Sequence, residues 1–99
     1  MNETEAISKA KDYITKLGYN PSTMKVKVKE YNTPWNPWLR VSCLDEYCVE
    51  RKRILAGKTY WAVYFSHDDS IDGKRMRGGD VCVFIDVQLG GILTEVRGK

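Results

Sequence analysis

The chain has 99 residues, of which 42% are hydrophobic and 29% are charged, and its net charge is +3. This length and composition suit one globular domain, residues 1–99, with a core between two packed layers, and no apolar run approaches the roughly 20 residues that span a membrane. Nucleic-acid binders usually carry a larger basic excess on one face, so we expect neither membrane insertion nor nucleic-acid binding.

Two further features bear on the cellular compartment. The N-terminal residues, which include Glu3 and Glu5, lack the positive charge and the apolar stretch of a secretory signal, so we expect a cytoplasmic protein. The three cysteines, Cys43, Cys48 and Cys82, cannot all pair within one chain, and the first two lack the spacing of a zinc or thioredoxin-like motif. We therefore expect reduced, mostly buried thiols.

Residues 3–17 are predicted to form an amphipathic helix, because apolar side chains recur there at helical spacing. These side chains are Ala6, Ile7, Ala10, Tyr13, Ile14 and Leu17. Asn2 can cap the start of the helix, with Glu5 at the position that reaches back, and Gly18 can adopt the left-handed conformation that ends it.

The pattern changes to period two from Met24 onward, which predicts a strand. Met24, Val26 and Val28 share one face, which we expect to meet the helix. The intervening lysines face solvent, and on an exposed sheet edge they would discourage open-ended pairing with other strands. These are Lys25, Lys27 and Lys29.

The middle of the chain begins with a loop, residues 32–38, that holds two of the three tryptophans and two of the three prolines. Prolines at this density prevent both helix and regular strand. Residues 39–43 alternate as in a short strand, and residues 44–56 have the spacing of a short second helix that Gly57 would end.

Three further strands are predicted after Gly57. Residues 58–66 are rich in aromatic and β-branched residues and are apolar on both faces, which indicates a central strand. Residues 67–79 have the charge and glycine content of a long hairpin loop, and residues 80–87 and 92–97 form the last two strands. The elements together predict an α+β fold, in which the N-terminal helix packs on a curled antiparallel sheet of about four strands, with a short inserted second helix.

The C-terminal third combines a tryptophan-containing strand, a strand that ends in an acidic residue, a glycine turn and a short last strand. The positions that carry this pattern are Trp61, Val63, Gly79, Val83, Ile85, Asp86, Gly90, Ile92 and Leu93, and the helix residues Ala6, Ala10 and Tyr13 suit the part before it. The pattern resembles small bacterial cystatin-like domains, which include PepSY-type domains and immunity proteins with a nuclear-transport-factor-two-like fold. Residues 32–57 lie outside this resemblance.

The resemblance implies a non-enzymatic role, namely that of an immunity protein that binds and blocks a toxin. Immunity proteins that oppose nucleases tend to be acidic, whereas this chain has a pI of about 8.8. The protein partner, a toxin or effector, is then expected to be acidic or not to be a nuclease. The sequence leaves the oligomeric state open.

Two segments supply the expected partner-binding residues. Trp35 and Trp38 either close one end of the core or act as rigid anchors on a proline-stiffened loop, and the two roles can coexist. Arg75, Met76 and Arg77 combine residue types that suit an interface, because methionine adapts its shape and arginine is enriched at interface centres.

An alternative hypothesis is a cone-shaped domain that binds a small molecule or catalyses a reaction in an apolar pocket between helix and sheet. Tyr13, Tyr60, Tyr64 and Phe84 would line this pocket. A pocket enzyme needs convergent polar groups, and the strand faces offer few besides Asp86, which favours the binding protein.

Catalytic and metal-binding motifs are incomplete. His67 is the single histidine, and Asp68 and Asp69 follow it, but adjacent side chains on a loop seldom point at one ion. We therefore predict no catalytic residues, no bound cofactor and no metal site.

Overall fold

The computed structural model describes residues 2–34, 36, 46–67 and 79–97. The elements in chain order are α1 (Glu3–Lys16), β1 (Lys25–Tyr31), α2 (Glu46–Leu55), β2 (Tyr60–Ser66), β3 (Val81–Asp86) and β4 (Ile92–Arg97). The four strands form one open antiparallel sheet in the order β1-β2-β3-β4. This confirms the predicted α+β class, with an N-terminal helix, a second helix and a four-stranded antiparallel sheet.

Helix α1 begins and ends as its sequence predicts. The Glu5 N–H donates a hydrogen bond of 2.9 Å to Asn2 Oδ1, which satisfies one of the helix's free amide groups. At the other end Gly18 has a φ of +100°, and the Tyr19 N–H donates to the Ile14 carbonyl at 3.0 Å. A left-handed glycine with this backbone bond is a common way to end a helix, because other residues are strained in that conformation.

The two central strands of the sheet are buried on both faces. On one face, Ala6, Ala10 and Ile14 of α1 pack on side chains of β2 and β3, and we call this group the α1-side cluster. Its sheet members are Val63, Phe65, Val81, Val83 and Ile85. On the other face Cys48 and Leu55 of α2 pack on the α2-side cluster, whose sheet members are Tyr60, Ala62, Tyr64, Cys82, Phe84 and Val96.

Strand β1 lies at one edge of this sheet and is buried on one side. Val26 and Val28 are half-buried against the α1-side cluster, as predicted. The alternating lysines, Lys25, Lys27 and Lys29, are exposed. Strand β2 separates β1 from β3, which confirms that it is central.

The cysteines differ in part from expectation. Cys82 is a free, buried thiol, as predicted, but Cys48 is disulfide-bonded, and the other half of that bond lies outside the described residues. An odd number of cysteines leaves at least one thiol unpaired, but it does not keep the others reduced. Because disulfides persist mainly in oxidising compartments, the cytoplasmic location stays a prediction. In the part of the chain described, no helix has the length and apolar character needed to cross a membrane.

The tight contact between α1 and the sheet yields a stability prediction. Ala10 is fully buried in the α1-side cluster, so Ala10→Leu adds side-chain volume where no space exists. We expect this change to lower the free energy of unfolding by about 1–3 kcal/mol. Urea unfolding followed by circular dichroism measures the loss.

The matched control is Ser8→Leu, which adds the same side chain at an exposed position of the same helix. We expect a change within about 0.5 kcal/mol for this variant. Equal losses in the two variants would contradict the packing role of Ala10.

Candidate protein-binding surface

The partner-binding residues predicted from the sequence fall outside the described part of the chain. This applies to Trp35 and Trp38 in the proline-containing loop, and to Arg75, Met76 and Arg77 in the loop between β2 and β3. Their role at an interface therefore stays a prediction.

The four predicted pocket residues are divided between the two faces of the sheet. Tyr60, Tyr64 and Phe84 belong to the α2-side cluster, where the rings of Tyr60 and Phe84 meet edge to face with 5.4 Å between their centroids. Tyr13 is half-buried on α1 and packs on the opposite cluster. These side chains do not line one pocket between α1 and the sheet, because alternate positions of a strand point to opposite faces.

The buried tyrosines are anchored by hydrogen bonds at the strand ends. The Tyr60 hydroxyl donates to the Thr33 carbonyl at 2.6 Å and accepts from Asn36 Nδ2 at 2.9 Å. The Tyr64 hydroxyl donates to Asp80 Oδ2 at 2.7 Å. Burial raises the pKa of each tyrosine from 10.0 to about 12, so both stay neutral and serve as structural donors.

A polar cleft of about 280 Å³ lies where β1 ends and β2 begins. Glu30, Tyr31, Asn32 and Thr59 line it. The Tyr31 ring stacks on Tyr60, with 5.9 Å between the centroids, so one wall of the cleft rests on the α2-side cluster. The cleft is polar and lies at the rim of the sheet. It therefore differs from the predicted pocket, which is apolar and lies between helix and sheet.

Four hydrogen bonds of Asp86 hold the turn between β3 and β4 in place. The Asp86 carboxylate accepts from the N–H groups of Gln88 and Leu89, at 2.9 and 3.2 Å. The backbone of Asp86 makes two further hydrogen bonds. Its carbonyl accepts from the Gly90 N–H at 2.8 Å, and its N–H donates to the Gly91 carbonyl at 2.9 Å. Gly90 has a φ of +73°, which other residues adopt with strain.

This ordered turn exposes a large apolar side chain, since 85% of Leu89 is accessible to solvent. The Val87 N–H donates to the Thr59 carbonyl at 3.0 Å, and this bond attaches the turn to a residue that lines the cleft. We call Leu89 together with the four cleft residues the turn-end surface. The sequence predicted the turn but not the role of Leu89. The one feature that could have indicated an exposed apolar side chain is the presence of leucine inside a tight turn.

Helix α2 covers the edge of the sheet formed by β4. Arg51 Nε donates to the Glu95 carbonyl at 2.7 Å, and the Arg97 N–H donates to the Tyr47 hydroxyl at 3.3 Å. The Arg51 guanidinium lies 3.4 Å from the centre of the Tyr47 ring, a cation–π contact that holds both side chains in place. Tyr13 donates from α1 to the Glu95 carboxylate at 3.2 Å, so both helices contact β4. Side chains thus occupy backbone groups of β4 that would otherwise be available to another strand.

The histidine does not form part of a metal site within the described residues. No group of three or more histidine, cysteine, aspartate or glutamate side chains in this part of the chain could hold an ion. His67 itself is exposed after β2, and its sequence neighbours Asp68 and Asp69 lie outside the described residues.

The raised pKa values of Tyr60 and Tyr64 predict a loss of stability at high pH. The unfolded tyrosines ionise near pH 10, whereas the folded ones ionise near pH 12. The stabilisation is complete below pH 10 and is lost as the pH rises from 10 to 12, by on the order of 2 kcal/mol for each tyrosine. Urea unfolding across this pH range measures it.

The Tyr64→Phe variant should lose less stability across that range than the unchanged protein, because one of the groups with a raised pKa is gone. Tyr19→Phe, at a half-exposed position after α1, is the control and should show the full loss. If Tyr64→Phe shows the same pH dependence as the control, the assignment to Tyr64 is wrong.

The hydrogen bonds of the Asp86 carboxylate lead to a second prediction, which concerns the local order of the turn. Asp86→Ala removes the acceptor for two amide groups, and we expect unfolding to become easier by about 1–3 kcal/mol. The Leu89 amide should then exchange its hydrogen faster in nuclear magnetic resonance spectra. Asp86→Asn keeps one acceptor oxygen and should show a smaller effect, while Gln88→Ala, at an exposed position, should show none. Unchanged exchange in Asp86→Ala would contradict the anchoring role.

The chain matches no protein-family model, and the comparisons with curated proteins and with solved structures found no match.

Proposed function

We propose that this protein is a non-enzymatic binding protein, and that it acts as a bacterial immunity protein that binds and blocks a cognate toxin. The observation that carries the binding role is the exposure of Leu89 on a turn that hydrogen bonds hold in place. The immunity role is supported by the resemblance of the C-terminal third to cystatin-like and nuclear-transport-factor-two-like immunity proteins.

A fixed, exposed apolar side chain suits an interface for an energetic reason. Binding costs free energy when side chains and loops must be ordered, and a turn that is already ordered avoids part of this cost. The Asp86 carboxylate and the Gly90 and Gly91 backbone fix the position of Leu89 before any partner arrives. Leu89 can then enter an apolar pocket of the partner, while the neighbouring polar cleft forms the rim of the contact.

The alternative of a pocket that binds a small molecule has less support. Tyr60, Tyr64 and Phe84, three of the four side chains expected to line it, are at most 1% exposed and fill the α2-side cluster. The polar cleft at the sheet rim has few apolar walls, and small-molecule sites are mostly apolar.

The loop residues predicted from the sequence belong to the same proposal. Tyr60, which lies beneath the cleft, bonds to Thr33 and Asn36, which flank Trp35 in the chain. We propose that Trp35 and Trp38 contribute aromatic anchors to the contact with the partner, and that Arg75, Met76 and Arg77 contribute a second, basic contact. An acidic partner would complement the net charge of +3.

The proposed function predicts a specific partner and a specific loss of binding. We expect a toxin gene directly upstream of the gene for this chain, and we expect co-expression of the chain to restore growth to cells that make the toxin. Leu89→Ser should weaken binding of the purified toxin at least about tenfold in calorimetry, because it removes an anchor from the centre of the contact.

The control variant is Val49→Ser, which changes an apolar residue of α2 that is 40% exposed and lies outside the turn-end surface. Its affinity for the toxin should stay within about threefold of the original. Equal losses in the two variants would reject Leu89 as the anchor. A gene neighbourhood made of metabolic enzymes would reject the immunity role.

A further inference from the structure

The polar cleft lies where the pairing of β1 with β2 ends, beside the turn between β3 and β4. The last pair of the ladder is Tyr31 with Tyr60. Asn32 and Thr59, which adjoin this pair in the chain, line the cleft of about 280 Å³. Thr59 is held there because its carbonyl accepts from the Val87 N–H at 3.0 Å. The cleft therefore belongs to an ordered end of the sheet.

The polar side chains of this cleft have hydrogen-bonding capacity that the chain itself leaves unused. The Glu30 carboxylate, the Asn32 amide and the Thr59 hydroxyl make no side-chain hydrogen bond or ion pair within the described residues. In the same part of the chain, Lys29 and Lys58 are the basic residues nearest to them in sequence, and neither forms an ion pair with Glu30. Glu30 thus supplies the one formal charge among the lining residues, with two neutral oxygen acceptors beside it.

Tyr31 forms a fixed wall of the cleft and has partners of its own. Its ring stacks on Tyr60 with 5.9 Å between the centroids, and the Lys29 ammonium lies 5.6 Å from the ring centre. A ligand in the cleft therefore needs nothing from Tyr31 except contact with the wall. Its polar contacts come from the carboxylate, the amide and the hydroxyl.

Size and charge decide which kind of ligand suits the cleft. A Ca²⁺ ion takes about six to eight oxygen ligands, and the described residues contain no group of acidic, histidine or cysteine side chains that could hold a metal ion. The volume is below the roughly 300–1,000 Å³ of small-molecule sites. A single cationic side chain fits better. A guanidinium suits the cleft more than an ammonium, because its N–H groups donate in one plane to several acceptors.

We propose that the cleft binds the guanidinium group of an arginine that a protein partner presents next to its apolar pocket for Leu89. The inference rests on the proposed function for the partner, and it adds the chemistry of the residue that meets Glu30. A partner that is acidic overall can still present one arginine here, because total charge governs long-range attraction and local charge governs the contact.

Methylguanidinium is the probe, and nuclear magnetic resonance spectra of the full chain follow its binding. We expect saturable binding with a Kd on the order of millimolar, because an exposed ion pair contributes little. The side-chain amide signal of Asn32 and the backbone amide signal of Thr59 should shift. Methylurea, which offers similar N–H donors without the charge, should bind at least about tenfold more weakly.

The role of the carboxylate is tested by Glu30→Gln, which should weaken methylguanidinium binding at least about tenfold. The matched control is Glu50→Gln, which removes the same charge at an exposed position of α2. This control should keep binding within about threefold, because a distant surface charge is screened by salt.

Two arginine derivatives separate the sources of the guanidinium group. N-acetylarginine amide presents the side chain as a protein does, and its affinity should be within about threefold of that of free arginine, because Glu30 is the one charged residue that lines the cleft. If free arginine binds more tightly by about tenfold or more, the ligand is a small molecule and the assignment to a protein partner is wrong.

The same variants apply to the complex with a purified toxin. Glu30→Gln should weaken toxin binding about tenfold and Glu50→Gln should not. Unchanged toxin affinity in Glu30→Gln would overturn the proposal, as would equal binding of methylurea, equal losses in the two variants, or signal shifts confined to residues outside the cleft. The titrations with methylguanidinium need no toxin, and Leu89→Ser leaves the lining residues unchanged. Failure of the cleft and failure of the immunity role can therefore be told apart.

Discussion

The burial of both faces of β2 and β3 is the constraint on which the rest of this structure depends. Tyr60 and Tyr64 point to one face while Val63 and Phe65 point to the other, and all four are at most 1% exposed. A sheet of this kind needs a cover on each side, which is why helices pack on both faces. The faces of these two strands are consequently not accessible to a partner.

The elements could be predicted because their signals are local. The helical spacing of Ala6, Ala10 and Ile14, the alternation of β1 and the two apolar faces of β2 follow from residues close together in the chain. The division of the four pocket candidates between two faces could not be predicted, because it depends on which face each aromatic shares with which helix. The cover over β4 depends on contacts such as that of Arg51 with Glu95, and residues so distant in sequence leave no periodic pattern. The exposure of Leu89 leaves no periodic pattern either.

The side chains that bond at the margins of the core lie at or beside the ends of the strands, whereas the buried Thr94 lies inside β4. Tyr60 bonds at one end of the sheet, Tyr64 bonds to Asp80 at the other, and Asp86 fixes the turn after β3. These bonds connect an apolar interior to irregular segments, which lack a ladder of their own. Trp61 differs, because its Nε1 is the one buried side-chain donor without a partner among the described residues. Its ring packs against the α1-side cluster.

The cover that α2 places over β4 also limits how far this sheet can grow. Open-ended filaments require two edges that accept strands, one on each side of every subunit. Here Arg51 and Tyr47 already bond to backbone groups of β4, so a strand that pairs with this edge must first displace them. The contacts of α2 with this edge therefore disfavour growth of the sheet through β4.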